Sequence, residues 1–453
     1  MQNCLFSLVA IALITGLNYS CTSPSDTSAE TASKDSISGF ASFTEDGAWC
    51  WFSDPRALFY QGEHARTYAG WIDQFGNVTV GYYDHDTQEI SQKVLHEELE
   101  VDDHDNPSLL IDEDGKLMVF YSKHSRSEPI YLMRAQQAES INEWEPRQEL
   151  VLNDTVAYAE FSNTYTYVNI FRLSDEDNRL YLFWRGADFK PNVATSDDNG
   201  TTWSKGEILI LPERVYRNRR PYLKASSNNQ DQIHLAFTDG HPRNEPTNSI
   251  YYLVYRDGAF FKANGEKVAN FSDIPIAPSA ADMVYNATET EEKSWIWDVA
   301  ENENGQPVIS YVRFPDDSTH VYYYAVWDGE TWQNHKITEG GGWFPQTPEG
   351  VEEREPNYSG GVVLDHQNPS TVYLSREQNG VFEIERWTTN DQGANWINKA
   401  ITQNSELDNI RPFVVRNYTP DNELRVLWLN VKHYQHYTDY EASIMADLKS
   451  SLQ

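Results

Sequence analysis

Short runs of alternating apolar and polar residues recur along the chain, most of them after a turn rich in Asp, Asn or Gly. They begin at Gly76-Asn77-Val78, Gly115-Lys116-Leu117, Asn178-Arg179-Leu180, Asp231-Gln232-Ile233, Gly305-Gln306-Pro307, Ser370-Thr371-Val372 and Asn422-Glu423-Leu424. Alternation with period two predicts strands with one buried face, and the turn residues predict hairpins. Helical periodicity is nearly absent. Seven units spaced about 58 residues apart each have room for four short strands and generous loops.

A second pattern sits between these units. Ser196-Asp197-Asp198-Asn199-Gly200-Thr201-Thr202-Trp203 and Thr389-Asn390-Asp391-Gln392-Gly393-Ala394-Asn395-Trp396 share Ser/Thr-x-Asp-x-Gly-x-x-Trp, and Gly329-Glu330-Thr331-Trp332 is a partial copy. The pattern resembles the Asp-box, or BNR repeat, in which Asp and Gly shape a hairpin turn and Trp packs between strands. The fold expectation is all-β, a seven-bladed β-propeller over residues 41–450.

Equivalent strand ends in such a fold gather at one face. Seven to ten residues into each unit stand His85, His124, Arg185, Asp239 with His241, Arg313, Gln378-Asn379, and Asn430 with Lys432. Pairing across the turn 112–115 makes His104 and His124 near neighbours at one open hairpin end. Pairing across 175–178 sets Arg185 opposite Val168, with Tyr167 adjacent. Tyr165 is two residues away and would share the strand face of Tyr167. The acidic turn 112–115 reads as a hairpin turn, lacking the further ligands of a calcium loop.

Composition narrows the partners. The net charge of −34 argues against a nucleic-acid binder. Against that background Arg214, Arg217, Arg219, Arg220 and Lys224 fall within eleven residues, where even spacing would give about one. Such a concentration suits an anionic ligand. The chain contains no Walker loop, His-Glu-x-x-His or Gly-x-Ser-x-Gly motif. Of Cys4, Cys21 and Cys50, Cys50 alone falls in the propeller region, which excludes an internal disulfide and a Cys-based zinc site there.

The N-terminus differs in kind. Residues 5–17 are apolar, about the length of a signal segment, and Ser20-Cys21 resembles a lipoprotein cleavage site with Cys21 as the lipid-bearing residue. Residues 22–40 read as a disordered tether. The expectation is an exported bacterial protein, periplasmic or on the cell surface, that meets a membrane through a lipid anchor.

Trp49-Cys50-Trp51-Phe52-Ser53-Asp54-Pro55-Arg56-Ala57, Asp102-Asp103-His104-Asp105-Asn106-Pro107, Phe183-Trp184-Arg185-Gly186, Thr238-Asp239-Gly240-His241-Pro242 and Tyr358-Ser359-Gly360-Gly361 occur in this order. Together they resemble the BNR-repeat family that contains ulvan lyases of polysaccharide lyase families 24 and 25. Relatives there include an oligosaccharide dehydratase and an α-L-rhamnosidase. The resemblance implies β-elimination at a uronic acid of ulvan, with His104 as base, Tyr167 as acid, and His124, Arg185 and Tyr222 around the uronate carboxylate. Arg217, Arg219 and Arg220 would hold sulfate or carboxylate groups of neighbouring sugars on an anionic, sulfated polysaccharide. Some members hold a structural zinc partly through cysteines near the equivalent of His241. Here Tyr251-Tyr252-Leu253 follows instead, so a structural metal ion stays open with no ligand set to assign, and no cofactor is carried over. Elimination does not by itself say what leaves: a sugar makes a lyase, a free 4-hydroxyl a dehydratase. A rhamnosidase and a non-catalytic glycan-binding propeller remain the other readings.

Overall fold

The turn-and-strand rhythm becomes seven antiparallel sheets in a computed structural model that describes residues 40–124, 128–153, 164–316, 318–342 and 360–448. The signal segment, Cys21 and most of the tether lie outside the described residues, as do residues 343–359.

In chain order the first strands of blades one to six are Ala57–Gln61, Ser108–Ile111, Thr166–Leu173, Leu223–Ser227, Lys293–Glu301 and Val362–Leu364. Blade seven begins with Asp408–Val414 and is completed by the N-terminal strand Phe40–Thr44, which pairs with Asp439–Asp447. This pairing of the two chain ends closes the ring and leaves no open first or last blade. Blade four is the exception in size, with six strands rather than four. The expected seven-bladed β-propeller is the observed fold.

The Asp-boxes close the third and sixth blades' outer hairpins. The Ser196 hydroxyl accepts from Gly200 N at 2.9 Å and Asp198 from Thr202 N at 2.8 Å. Thr389 and Asp391 repeat this with Gly393 N and Asn395 N. Gly393 has φ +99°, and a Cβ there would meet the Tyr324 ring at 2.8 Å, so glycine is required on both counts. Between the blades large aromatics fill the wedge-shaped gaps; Trp49, Trp71, Trp184, Trp297 and Trp428 are fully buried.

Six of the seven repeat units are second strands of their sheets. The first is not: Val78–Asp84 is the third strand of blade one. Its end therefore points to the opposite face. His85 bonds to Thr67 and stacks edge-on against Phe59, away from the other strand ends. The seventh strand, Val426–His436, runs well beyond Asn430 and Lys432. Lys432 pairs with Glu441, and Tyr437 is the residue that reaches the site.

Candidate functional site

His104 and His124 meet at the start of the first strand and the end of the second strand of blade two. The hairpin registers Ser108 with Phe120 and Ile111 with Leu117, which brings the two flanking segments together at one end. His104 lies in a single 3-10 turn, Asp103–Asp105, capped by Asp102, whose carboxylate accepts from His104 N. The two imidazoles stack with centroids 4.1 Å apart and planes 11° apart.

Asp102 bridges them. One oxygen lies 2.6 Å from His104 Nδ1, the other 2.8 Å from His124 Nδ1. Burial raises the Asp102 carboxyl, but His104 and His124 overcome this and hold it well below the usual carboxylate range. An ionised carboxylate only accepts, so both Nδ1 atoms donate and each neutral ring keeps its lone pair on Nε2. Burial, then the neighbouring His104, lowers His124 to about 4.

The turn is anchored from blade seven. Asp103 N donates to Tyr437 O at 2.9 Å, and the buried Asp103 carboxylate is held by Arg411 and by the Tyr434 hydroxyl. Tyr437 stands edge-on to both histidines, at 4.7 and 5.3 Å. Neighbouring Asp105 is buried, with neither oxygen bonded among the described residues. Burial and the charges of Asp102, Glu100 and Asp103 push its carboxyl well above the usual range, so the acidic stretch carries less charge than its sequence suggests.

Blade three supplies Tyr167 and Arg185, with one change of register. Arg185 pairs with Thr166 rather than Val168, because a bulge interrupts the ladder between Thr166 and Asn169. Tyr167 occupies that bulge with φ +59°. The bulge breaks the expected sharing of a face by the two tyrosines. Tyr165 is fully buried, its hydroxyl accepting from Leu152 N and Asn153 N. Tyr167 instead lies 5.6 Å from the His104 ring and 6.1 Å from His124. Arg185 stacks on Tyr167 at 4.4 Å and donates to the Tyr222 hydroxyl at 3.1 Å. Burial holds the Tyr167 phenol well above its usual value, against the pull of Arg185. Phe52 packs on both Tyr167 and Tyr222 and forms the floor with Trp51 and Trp295.

The arginine run divides. Arg217 and Arg220 are exposed, and Arg220 stacks on Phe189 at 4.0 Å, the ring that also flanks Arg185. Arg219 is committed to Asp239 at 2.7 Å and Glu245 at 3.0 Å, which makes it a brace for the loop rather than a free anion contact. Lys224 is buried on Asp54 and the Trp51 carbonyl, so it does not belong to an exposed anion patch. Arg313 is enclosed by Tyr285 and Tyr323, at 3.9 and 3.7 Å.

His241 packs on Trp295 at 4.6 Å and beside Tyr222, and burial lowers it to about 3. Its Nδ1 accepts from Arg243 N. Among the described residues, His241 belongs to no group of three closely spaced ligand atoms, and Tyr251 donates to Asp239. These residues do not fit a zinc ion. The group that does converge, Asp102 with His104 and His124, is spaced as the hydrogen-bonded bridge described above.

Residues 66–340 match the model of the BNR repeat-containing family member. The chain belongs to this BNR-repeat family. It is 21% identical over 447 residues to an ulvan lyase from Nonlabens ulvanivorans, covering 87% of this chain and 86% of that one. Among solved structures it is similar to a polysaccharide lyase PL25 ulvan lyase bound to -[GlcA(1-4)Rha3S]-, with TM-score 0.68, 15% identity, and coverage of 91% and 97% of the two chains. It is also similar to polysaccharide lyase Uly1, with TM-score 0.51, 10% identity, and coverage of 88% and 92%. At these identities the solved structures bear on the fold of this BNR-repeat chain.

Asp102, Tyr437 and Phe52 are the site residues that sequence reasoning misses. Asp102 had a signal, since it stands two residues before His104. Tyr437 had none, because its place depends on how far the last long strand runs.

Proposed function

We propose that this protein catalyses β-elimination at a uronic acid of ulvan, leaving a 4,5-unsaturated uronate. The observation that carries the reading is the Asp102 bridge, which takes both Nδ1 protons onto one carboxylate and sets the two imidazoles beside a buried tyrosine and an arginine. In the proposed reaction, His104 Nε2 takes the C5 proton. The C5–H electrons form the C4=C5 double bond as the C4–O4 bond breaks, and Tyr167 gives its phenolic proton to O4. A phenol held above its usual value keeps that proton until the leaving oxygen needs it. Removing a proton next to a carboxylate builds enolate charge, which Arg185 and the Tyr222 hydroxyl are positioned to stabilise.

His124 has a more exact requirement. Its Nδ1 proton is committed to Asp102, so pairing with a substrate carboxylate requires a second proton on Nε2. The buried carboxylate of Asp102 on one side and the uronate on the other supply the negative charge for that imidazolium. Exposed Arg217 and Arg220 extend the site toward neighbouring anionic sugars, as paired N–H donors suit sulfate and carboxylate. Export through the N-terminal segment with lipidation at Cys21 would bring the enzyme to an extracellular polymer.

Incubation with ulvan, followed by ultraviolet absorbance of the unsaturated uronate, tests the reaction. New absorbance is the expected result; its absence on every uronate substrate would contradict the proposal. Chain-length analysis of the products separates cleavage from dehydration of a chain end.

A further inference from the structure

A cavity distinct from the histidine site also lies among the described residues. It occupies about 640 Å³ along the propeller axis, and every blade contributes to its wall. Its mouth is formed by residues of the turns between first and second strands, including Asn229, Asn302, Gln367 and Asn417. His104 precedes a first strand and His124 follows a second strand, so this mouth opens on the opposite face of the ring.

The wall is built like a small-ligand site. Leu58, Leu109 and Ile170 form an apolar strip, while polar side chains gather toward the mouth. Asn229, Gln367 and Asn417 are exposed there. Arg172 lines the cavity with Nη1 buried and no hydrogen-bond partner, and no ion pair involves it among the described residues. Of the carboxylates around the cavity, Glu303 is exposed at the mouth, and the others are engaged elsewhere. Glu301 bonds His234 Nε2 at 2.9 Å, and Asp298 accepts from His366 at 3.1 Å and faces Arg416 at 3.4 Å. Asp54 is held by Arg56 and Lys224. An unpartnered buried guanidinium N–H is costly, and Arg172 brings a guanidinium with no ion-pair partner among the described residues to the cavity wall.

We propose that this axial channel binds a monosaccharide-sized carboxylate of the hexuronate class, its carboxylate on Arg172 and its hydroxyls toward Asn229, Gln367 and Asn417. A bare inorganic anion would satisfy Arg172 and leave most of the cavity unfilled. A sugar ring also presents a C–H face to the apolar strip. The inference stands on the cavity and not on the proposed reaction.

Titration calorimetry with D-glucuronate on the full chain tests it. The Arg185→Met variant is used to suppress uronate binding at the histidine face. One saturable event is expected to persist in that variant, to weaken about tenfold or more when Arg172→Met is added, and to be absent with D-glucose. Asn417→Asp, an exposed change at the mouth, is expected to weaken it by like-charge repulsion and covers the case in which Arg172→Met does not fold. Arg172→Met alone should leave turnover of ulvan unchanged. No event in Arg185→Met, an event indifferent to both channel variants, or full displacement by sulfate would overturn the proposal. Failure of the ultraviolet assay leaves this binding result readable, so the two readings fail separately.

Discussion

His104 and His124 lie parallel, 4.1 Å apart, and share one carboxylate through their Nδ1 atoms. That relationship fixes which nitrogen of each ring carries the proton, and it makes Asp102 the positioning residue of the pair. Asp102→Asn keeps the shape but replaces one acceptor oxygen with a donor, so one imidazole must turn or change tautomer. Turnover is expected to fall about a hundredfold or more, with thermal stability nearly unchanged and the pH–rate profile displaced. An unchanged profile would mean that the bridge is only structural.

Binding should be linked to a proton. Free His124 sits at about 4, lowered by burial and by His104, with Asp102 opposing them. Arg185 also disfavours the charged form, whereas an incoming uronate favours it. Bound His124 is therefore raised, and its contribution to affinity is present at lower pH and lost as pH rises through the bound value. Calorimetry in buffers of different ionisation enthalpy should show proton uptake on binding, reduced in His124→Gln. Zero uptake would contradict the carboxylate role of His124.

The two tyrosines should separate cleanly. Tyr167→Phe removes the proposed acid and should lower turnover by about 10²–10⁴-fold while binding persists. Tyr165→Phe strips two buried backbone N–H groups of their acceptor. It should cost about 1–3 kcal/mol of stability with turnover nearly intact. Kinetics and thermal melts of both variants decide the matter.

Arg411 locks the turn that carries His104 to the last blade through Asp103. Arg411→Met leaves a buried carboxylate short of its charged partner. A loss of about 3–5 kcal/mol is expected in chemical denaturation, along with poorer turnover from a loosened His104.

Acid should destabilise the fold partly through His241. It is lowered to about 3 by burial, whereas the unfolded side chain titrates near about 6.5. The unfolded state therefore binds more protons in this window, and stability falls as pH drops from the unfolded value toward the folded one. His241→Phe should flatten the melting temperature against pH over that interval.

The blade architecture was largely legible because turn chemistry and period-two alternation are local properties. The same locality explains the mistakes. Nothing in Gly76-Asn77-Val78 distinguishes a third strand from a second, so His85 reads as part of a face from which it is absent. The bulge at Tyr167 is a backbone event that no alternation pattern announces, and it is what parts Tyr167 from Tyr165. Arg219 and Lys224 read as anion contacts until their buried partners, Asp239 and Asp54, are seen across the fold. His104 and His124 were readable as a pair because one short hairpin joins them. Their link to Tyr437 spans most of the chain and closes only with the ring.

The central claim is elimination rather than hydrolysis, and digestion of ulvan in water enriched in heavy oxygen tests it most directly. Mass spectrometry of the products should show unsaturated ends with no solvent oxygen incorporated, and His104→Ala should abolish them. One heavy oxygen per cleaved bond, with no unsaturated end, would contradict the account.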